Sequence, residues 1–246
     1  MSPELQASVE IAYTTFASYQ RGAPLAVCTC QVCVREEDER LLRSLPLREL
    51  SVSLLFEYSV SCHNRLGPKA QHEQRFFLPR FLELIARGEG DRLHTDGTAM
   101  ALSKLRELNW QTQWPENEVA TINAFFRCLT VDRATCLDVV PSHHFGQSVG
   151  DSQNWQLAKD VGEVLMLVEE AGGDTTPVLT ALDDVGDPAA AVHFAQICRD
   201  DPQFVHRNLD IVARHELASR IEAVFFEVED QRLQQILSDG LEAIEL

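Results

Sequence analysis

The sequence predicts an all-α fold, an irregular or solenoid-like stack of about nine to ten helices, and three observations carry that prediction. Apolar residues recur at three-to-four spacing along most of the chain. Cap-then-proline pairs, Ser2-Pro3, Thr176-Pro177 and Asp187-Pro188, punctuate it as helix starts, and Trp114-Pro115 does the same. Alternation of the strand kind occurs only beside a cluster of cysteines, where one short strand is expected.

The elements follow in order. Ser2 before Pro3 and Glu4 is an N-cap and N1 pair, and Leu5, Val9, Ala12, Tyr13 and Phe16 set an amphipathic helix over about 3–18. Gly22 and Pro24 break it, and the cysteine-rich stretch 25–34 follows. Residues 36–45 make a short charged helix. Ser51 then caps a stronger one, with Val52, Leu54, Leu55, Tyr58 and Cys62 on its inner stripe. The run 76–85 is the most apolar of the first half, and Pro79, lacking an N–H, is expected to start or kink its helix, which Gly88 and Gly90 end. Helices over about 98–110 and 115–130 come next, the second with Ile122, Phe125, Phe126 and Leu129 facing inward. Periodicity is lost over 139–153, which reads as a flexible connection. Helices are then expected at about 154–171, 177–183, 188–199, 207–226 and 230–244. This gives a cysteine-containing helical subdomain, 1–140, and an acidic helical subdomain, 154–246, or the two as one continuous domain.

With 246 residues, 45% of them hydrophobic, the chain has material for a sizeable core, so disorder is not expected. No run approaches the roughly 20 apolar residues of a membrane span. The opening Met1-Ser2-Pro3-Glu4-Leu5 lacks the features of a secretory signal, and Glu4 and Glu10 argue against a transit peptide, so a cytoplasmic protein is expected. The seven cysteines, at 28, 30, 33, 62, 128, 136 and 198, form an odd set, which fits reduced thiols.

Charge is unevenly placed. Of a net −17, residues 1–150 hold 15 basic and 18 acidic residues, net −3, whereas residues 151–246 hold 6 basic and 20 acidic, net −14. Such a field repels nucleic acid and anionic lipid and attracts a basic protein surface; its other reading is solubility alone.

Cys28-Thr29-Cys30-Gln31-Val32-Cys33 is the sharpest local feature. Thiolates at this C-x-C-x-x-C spacing can converge on one Zn²⁺, with Cys62 or His63 completing a tetrahedral set, although the second pair of a typical zinc module is missing. The alternative places Cys28 and Cys30 on a short half-buried strand as small apolar side chains. No other cofactor is expected. His143-His144 reads as a solvated loop pair, and His193 and His215 as boundary residues of the core. No G-x-S-x-G elbow, phosphate loop or dinucleotide fingerprint occurs, so no catalytic residue is assigned. Arg75, Arg80, Arg87 and Arg92 surround Phe76, Phe77 and Phe81, a pattern that stacks bases on some surfaces, but here the rings fall on a buried stripe and core packing is the preferred reading. Three acidic groups, Asp183, Asp184 and Asp187, then Asp200 and Asp201, then Glu227, Glu229 and Asp230, all fall at helix ends or turns. Each alone is explained by helix capping. Together they are the candidate partner-binding residues, provided that stacking gathers the turns on one edge.

The cysteine cluster, the run Glu37 to Leu42, Pro46-Leu47-Arg48-Glu49-Leu50-Ser51, the motif from Phe77 to Ala86, Ala171-Gly172-Gly173-Asp174 and Asp187-Pro188-Ala189-Ala190 together resemble a family of bacterial all-helical proteins of no assigned activity. The resemblance implies a bacterial cytoplasmic origin and an all-helical fold, and it supplies no active site. In general character the chain is also similar to immunity proteins that block toxins of bacterial competition. The functional expectation is a non-enzymatic protein that neutralises a basic protein partner, such as a toxin domain. Its alternatives are a zinc-binding protein, structural or enzymatic, built on Cys28, Cys30, Cys33 and Cys62, and a scaffold that binds a peptide in a helical groove.

Overall fold

The computed structural model describes residues 1–28, 33–61, 67–89, 94–142, 155–208 and 210–245. Among these residues the fold is all-α, with thirteen helices and one two-stranded sheet. Its contacts divide the chain into two units, residues 1–129 with 166–175, and residues 130–165 with 176–246.

In the first unit, Ser2 Oγ accepts the Leu5 amide at 3.2 Å and Pro3 fills the first helical position, so α1 (Pro3–Thr15) starts where the sequence places it and buries Leu5, Val9 and Ala12. Helix α2 (Glu36–Ser44) opens with four acidic residues and carries Arg43 in its last turn, the order that suits the helix dipole. After a 3₁₀ turn at Leu47–Glu49, Ser51 Oγ accepts the Leu54 amide, and α3 (Val52–Val60) buries Leu55 and Tyr58. Helix α4 (Pro68–Ala86) follows, then α5 (His94–Glu107), the single turn α6 (Trp110–Gln113) and α7 (Glu116–Ala134), whose last residues belong to the second unit. Helix α4 packs on α1 and α5, and α3 on both α2 and α5. Leu42, Leu50, Leu55, Tyr58, Phe77, Phe81 and Leu84 form the core.

Pro79 neither starts nor ends α4; it stands inside the helix, which begins at Pro68. A proline there costs about 3 kcal/mol. Every residue from Phe77 to Ala86 is buried, and full burial of Phe77, Leu78, Phe81, Leu82 and Leu84 at about 1.5–3 kcal/mol each outweighs that cost. The single helix expected over about 98–110 becomes two, because Asn109 takes a left-handed conformation (φ 47°) between α5 and α6.

In the second unit the chain forms β1 (Val139–Pro141) and β2 (Trp155–Leu157), antiparallel, with Val139 opposite Leu157 and Pro141 opposite Trp155. The strands thus flank 143–154; beside the cysteines Val27 makes a bridge, and residues 29–32 of the strand expected there lie outside the described residues. The helix expected at about 154–171 is shorter, α8 (Val161–Glu170), because Trp155 to Leu157 pair in the sheet and Asp160 accepts the Gly162 amide at 2.8 Å. Then come α9 (Thr176–Val185), α10 (Ala189–Asp200), α11 (Pro202–Asn208), α12 (Ile211–Glu227) and α13 (Gln231–Glu245). The helix expected at 207–226 is divided: Asp210 accepts the Ala213 amide at 2.8 Å and starts α12 separately. Helix α10 is the centre of this unit, packed by α9, α11, α12, α13 and β2. It crosses α13 closely enough that a Cβ on Gly240 would meet Ala195 O at 2.5 Å and Ala195 Cα at 2.6 Å. Around it Val192, Ile221, Val224, Ile236 and Leu237 fill the core.

Candidate functional site

The acidic turn residues separate into those the protein already neutralises and those it leaves open. At the α9–α10 corner, Arg220 of α12 donates through Nε to both oxygens of Asp187 at 2.8 Å and through Nη1 to Asp183 at 2.5 Å. Asp187 also accepts the Ala191 amide at 3.2 Å. The hydrogen bond to Asp187 holds the Arg220 guanidinium above its ordinary range despite its partial burial. At the other end of α10, Arg199 forks onto Asp200 at 2.7 and 3.1 Å and reaches Trp155 O at 2.6 Å. Asp201 accepts from Arg207 at 3.1 Å and caps Phe204 at 3.0 Å. At the α12–α13 turn, Asp230 caps Arg232 and binds its side chain at 3.0 and 2.6 Å, hydrogen bonds that hold the carboxyl at about 2.

The structure therefore brings Asp183 and Asp187 together on one arginine. It places Asp200 and Asp201 at the far end of α10, about 18 Å away for a twelve-residue helix. Asp184, Glu227 and Glu229 are exposed and carry no ion pair among the described residues. Exposed Glu216 and Glu222 of α12 and Glu242 of α13 join them in this respect. Sequence reading missed these three because each stands mid-helix, where no turn signal marks it. Five of these six belong to the α12–α13 hairpin.

Between those two helices lies a cavity of about 660 Å³ lined by Arg214, His215, Ala218, Ser219, Glu222, Leu241 and Ile244. His215 is exposed on α12 and takes no part in the core. Arg214, Ala218, Glu222 and Phe226 stand four residues apart and form one ridge of α12. Phe226 is 77% exposed, and its ring meets that of Phe225 edge-on at 5.3 Å. Phe225 itself packs against the core, so it anchors the exposed ring beside it. No hydrogen bond joins His215, Ser219 and Glu222 among the described residues, so the first contact of an activated nucleophile is not present there. His193, expected at the core boundary, is instead fully buried on α10, beside the backbone of Cys136 and Ala134. Burial pushes it down to about 4.

In the first unit, Cys28 and Cys33 are half-buried, and the Val34 amide donates to Cys28 O at 3.2 Å. Cys30, Cys62, His63, His143 and His144 lie outside the described residues, and no metal-binding group occurs among those described. Arg75 and Arg80 are buried in ion pairs. Arg75 Nε donates to Glu118 at 2.9 Å and its guanidinium stacks on Trp114 at 4.2 Å, while Tyr19 donates to the same glutamate. Glu83, 2% exposed, accepts from Tyr13 at 2.6 Å, Arg80 at 2.7 Å and Arg87 at 2.5 Å. Burial alone would raise its carboxyl, but these hydrogen bonds and the charges of Arg80 and Arg87 bring it below the usual range. Glu73, fully buried, accepts the Ala26 amide through both oxygens, and desolvation raises it. These groups tie α1 and α7 to α4, which is a structural role.

Comparison with protein-family models, with characterised proteins and with solved structures finds no match to this chain. No helix among the described residues is long and apolar enough to cross a membrane.

Proposed function

We propose that this chain is a non-enzymatic binding protein that takes up a basic protein partner on its second unit, in the manner of an immunity protein covering a toxin domain. The observation that carries the reading is the set of exposed carboxylates without ion pairs among the described residues on α12, α13 and the turn between them: Glu216, Glu222, Glu227, Glu229 and Glu242. An ion-paired carboxylate has already spent its field on its neighbour, whereas these five act outward and steer a cationic surface toward the hairpin. The excess of 20 acidic over 6 basic residues in 151–246 supplies the long-range part of that field. The general likeness to immunity proteins belongs to the same proposal.

The test begins with capture from the native host by tagged full-length protein, followed by reconstitution with the purified partner. The expected partner is basic, and its association rate falls about tenfold or more between roughly 0.05 M and 0.5 M salt. The combined variant Glu216→Gln, Glu222→Gln, Glu227→Gln, Glu229→Gln lowers the rate similarly at low salt. Association indifferent to both salt and these substitutions would defeat the proposal.

A further inference from the structure

We infer that the groove between α12 and α13 is a docking site for a helical segment of a protein partner that carries aliphatic residues on one face and lysine or arginine on the other. The inference deepens the proposed function and rests on it. Ala218, Leu241 and Ile244 give the groove an apolar floor, and the cavity runs along α12 from Arg214 to Glu222, about 12 Å, enough for two turns of a docked helix. Phe226 extends the Arg214-Ala218-Glu222 ridge by one more step and, at 77% exposed, offers an aromatic anchor already oriented by Phe225. Glu216, Glu222 and Glu242 lie on the two helices that frame the groove, exposed and without ion pairs among the described residues. Of these Glu222 lines the groove, and the lining's one arginine, Arg214, stands near the amino end of α12. An apolar trough set in a segment with 20 acidic and 6 basic residues over 151–246 is complementary to a cationic amphipathic helix, and it disfavours a second copy of this chain, which would bring two net charges of −17 together.

The experiment uses the full chain and three labelled peptides of about four helical turns each. One carries leucine and lysine at amphipathic spacing, one lysine with serine in place of leucine, and one leucine with serine in place of lysine. Binding is measured by fluorescence anisotropy against the natural chain, Ala218→Trp, which fills the groove, and Phe226→Ser. Circular dichroism confirms that each variant is folded. The leucine-lysine peptide is expected to bind tightest and to weaken about tenfold on either substitution. Equal binding of the two lysine peptides, unaffected by Ala218→Trp and Phe226→Ser, would overturn the groove while leaving the acidic surface standing. Failure of both lysine peptides would remove the acidic surface as well. Sedimentation that reveals a dimer dispersed by Phe226→Ser would assign the groove to self-association and overturn the inference.

Discussion

Arg220 grips Asp187 through one nitrogen and two oxygens, each at 2.8 Å, across 33 residues of sequence. With Asp183 on the same guanidinium, a corner that reads in sequence as three open aspartates leaves chiefly Asp184 without an ion pair among the described residues. Arg220→Gln frees two carboxylates and makes the corner more negative. The pairs are partly exposed, so the loss of stability is expected to be only about 0.5–1 kcal/mol at low salt and to shrink in concentrated salt. Urea unfolding at both salt levels measures it. A loss that is the same at both would mean that Arg220 acts by packing, for instance against Phe194, over which its guanidinium lies at 5.8 Å.

His193 makes the second unit sensitive to acid. Desolvation puts its native value at about 4, against an ordinary 6.5, with the backbone of Cys136 and Ala134 giving only partial compensation and Arg133 opposing protonation further. The native protein keeps the ring neutral while the unfolded chain takes up a proton, so stability falls as pH drops from 6.5 toward 4. The full difference is roughly 3 kcal/mol. Asp160 works in the opposite sense. Burial lifts its carboxyl to about 6, so the native state binds that proton first and is favoured as pH falls through 6. His193→Leu should therefore gain stability relative to the natural chain as pH is lowered from 7 to 4.5, and Asp160→Asn should show its advantage at pH 7 and lose it near pH 4. Thermal unfolding across that range follows both, and parallel curves for His193→Leu and the natural chain would contradict the buried neutral imidazole.

What was legible in the sequence depended on how local the deciding interaction is. Ser2 and Pro3 start α1, and Ser51 starts α3, through hydrogen bonds that span three residues. Strand β2 was read as helix because Trp155 to Leu157 are fixed by partners at 139–141, which no local pattern announces. Helix α4 obscured its own beginning. Glu73, Gln74, Arg75, Arg80 and Glu83 are buried in it with polar partners, so the apolar stripe that would have marked Pro68 as the start is interrupted by charge. The candidate site was half legible for the same reason. The acid content of 151–246 is plain, but which carboxylates remain open depends on Arg199, Arg207, Arg220 and Arg232 reaching them, and Arg220 does so over 37 residues to Asp183.

Glu83 and Arg80 give the first unit its sharpest mutational asymmetry. Both are buried, and Arg80 also donates through Nε to Leu50 O at 3.0 Å. Glu83→Gln leaves that cation without its counter-charge and is expected to cost about 3–5 kcal/mol. Replacing the pair together, Glu83→Leu with Arg80→Met, should cost clearly less, since no buried charge is left unpaired and Arg87 is half exposed. Tyr13→Phe removes one hydrogen bond to the carboxylate, about 1.5–3 kcal/mol. Chemical denaturation of the three variants gives the comparison, and a double variant that loses as much as Glu83→Gln or more would show that the two side chains do not act as a pair.

Gly240 offers the strictest test of the fold of the second unit, because two effects of opposite sign meet there. Inside α13 a glycine is a poor helix former, and alanine would favour the helix by about 1 kcal/mol if nothing stood nearby. The added Cβ, however, would lie 2.5 Å from Ala195 O and 2.6 Å from Ala195 Cα, main-chain atoms that cannot rotate aside. Overpacking of this kind costs about 1–3 kcal/mol, and with backbone as the obstacle the upper part of that range applies, so the clash outweighs the propensity. Gly240→Ala is expected to destabilise by about 1–2 kcal/mol, whereas Ser219→Ala on the exposed face of α12 should be neutral or slightly stabilising. Urea midpoints for the two variants decide the matter. A stabilising Gly240→Ala would mean that α10 and α13 do not cross as closely as this contact requires, and the packing that sets the groove beside Leu241 and Ile244 would have to be redrawn.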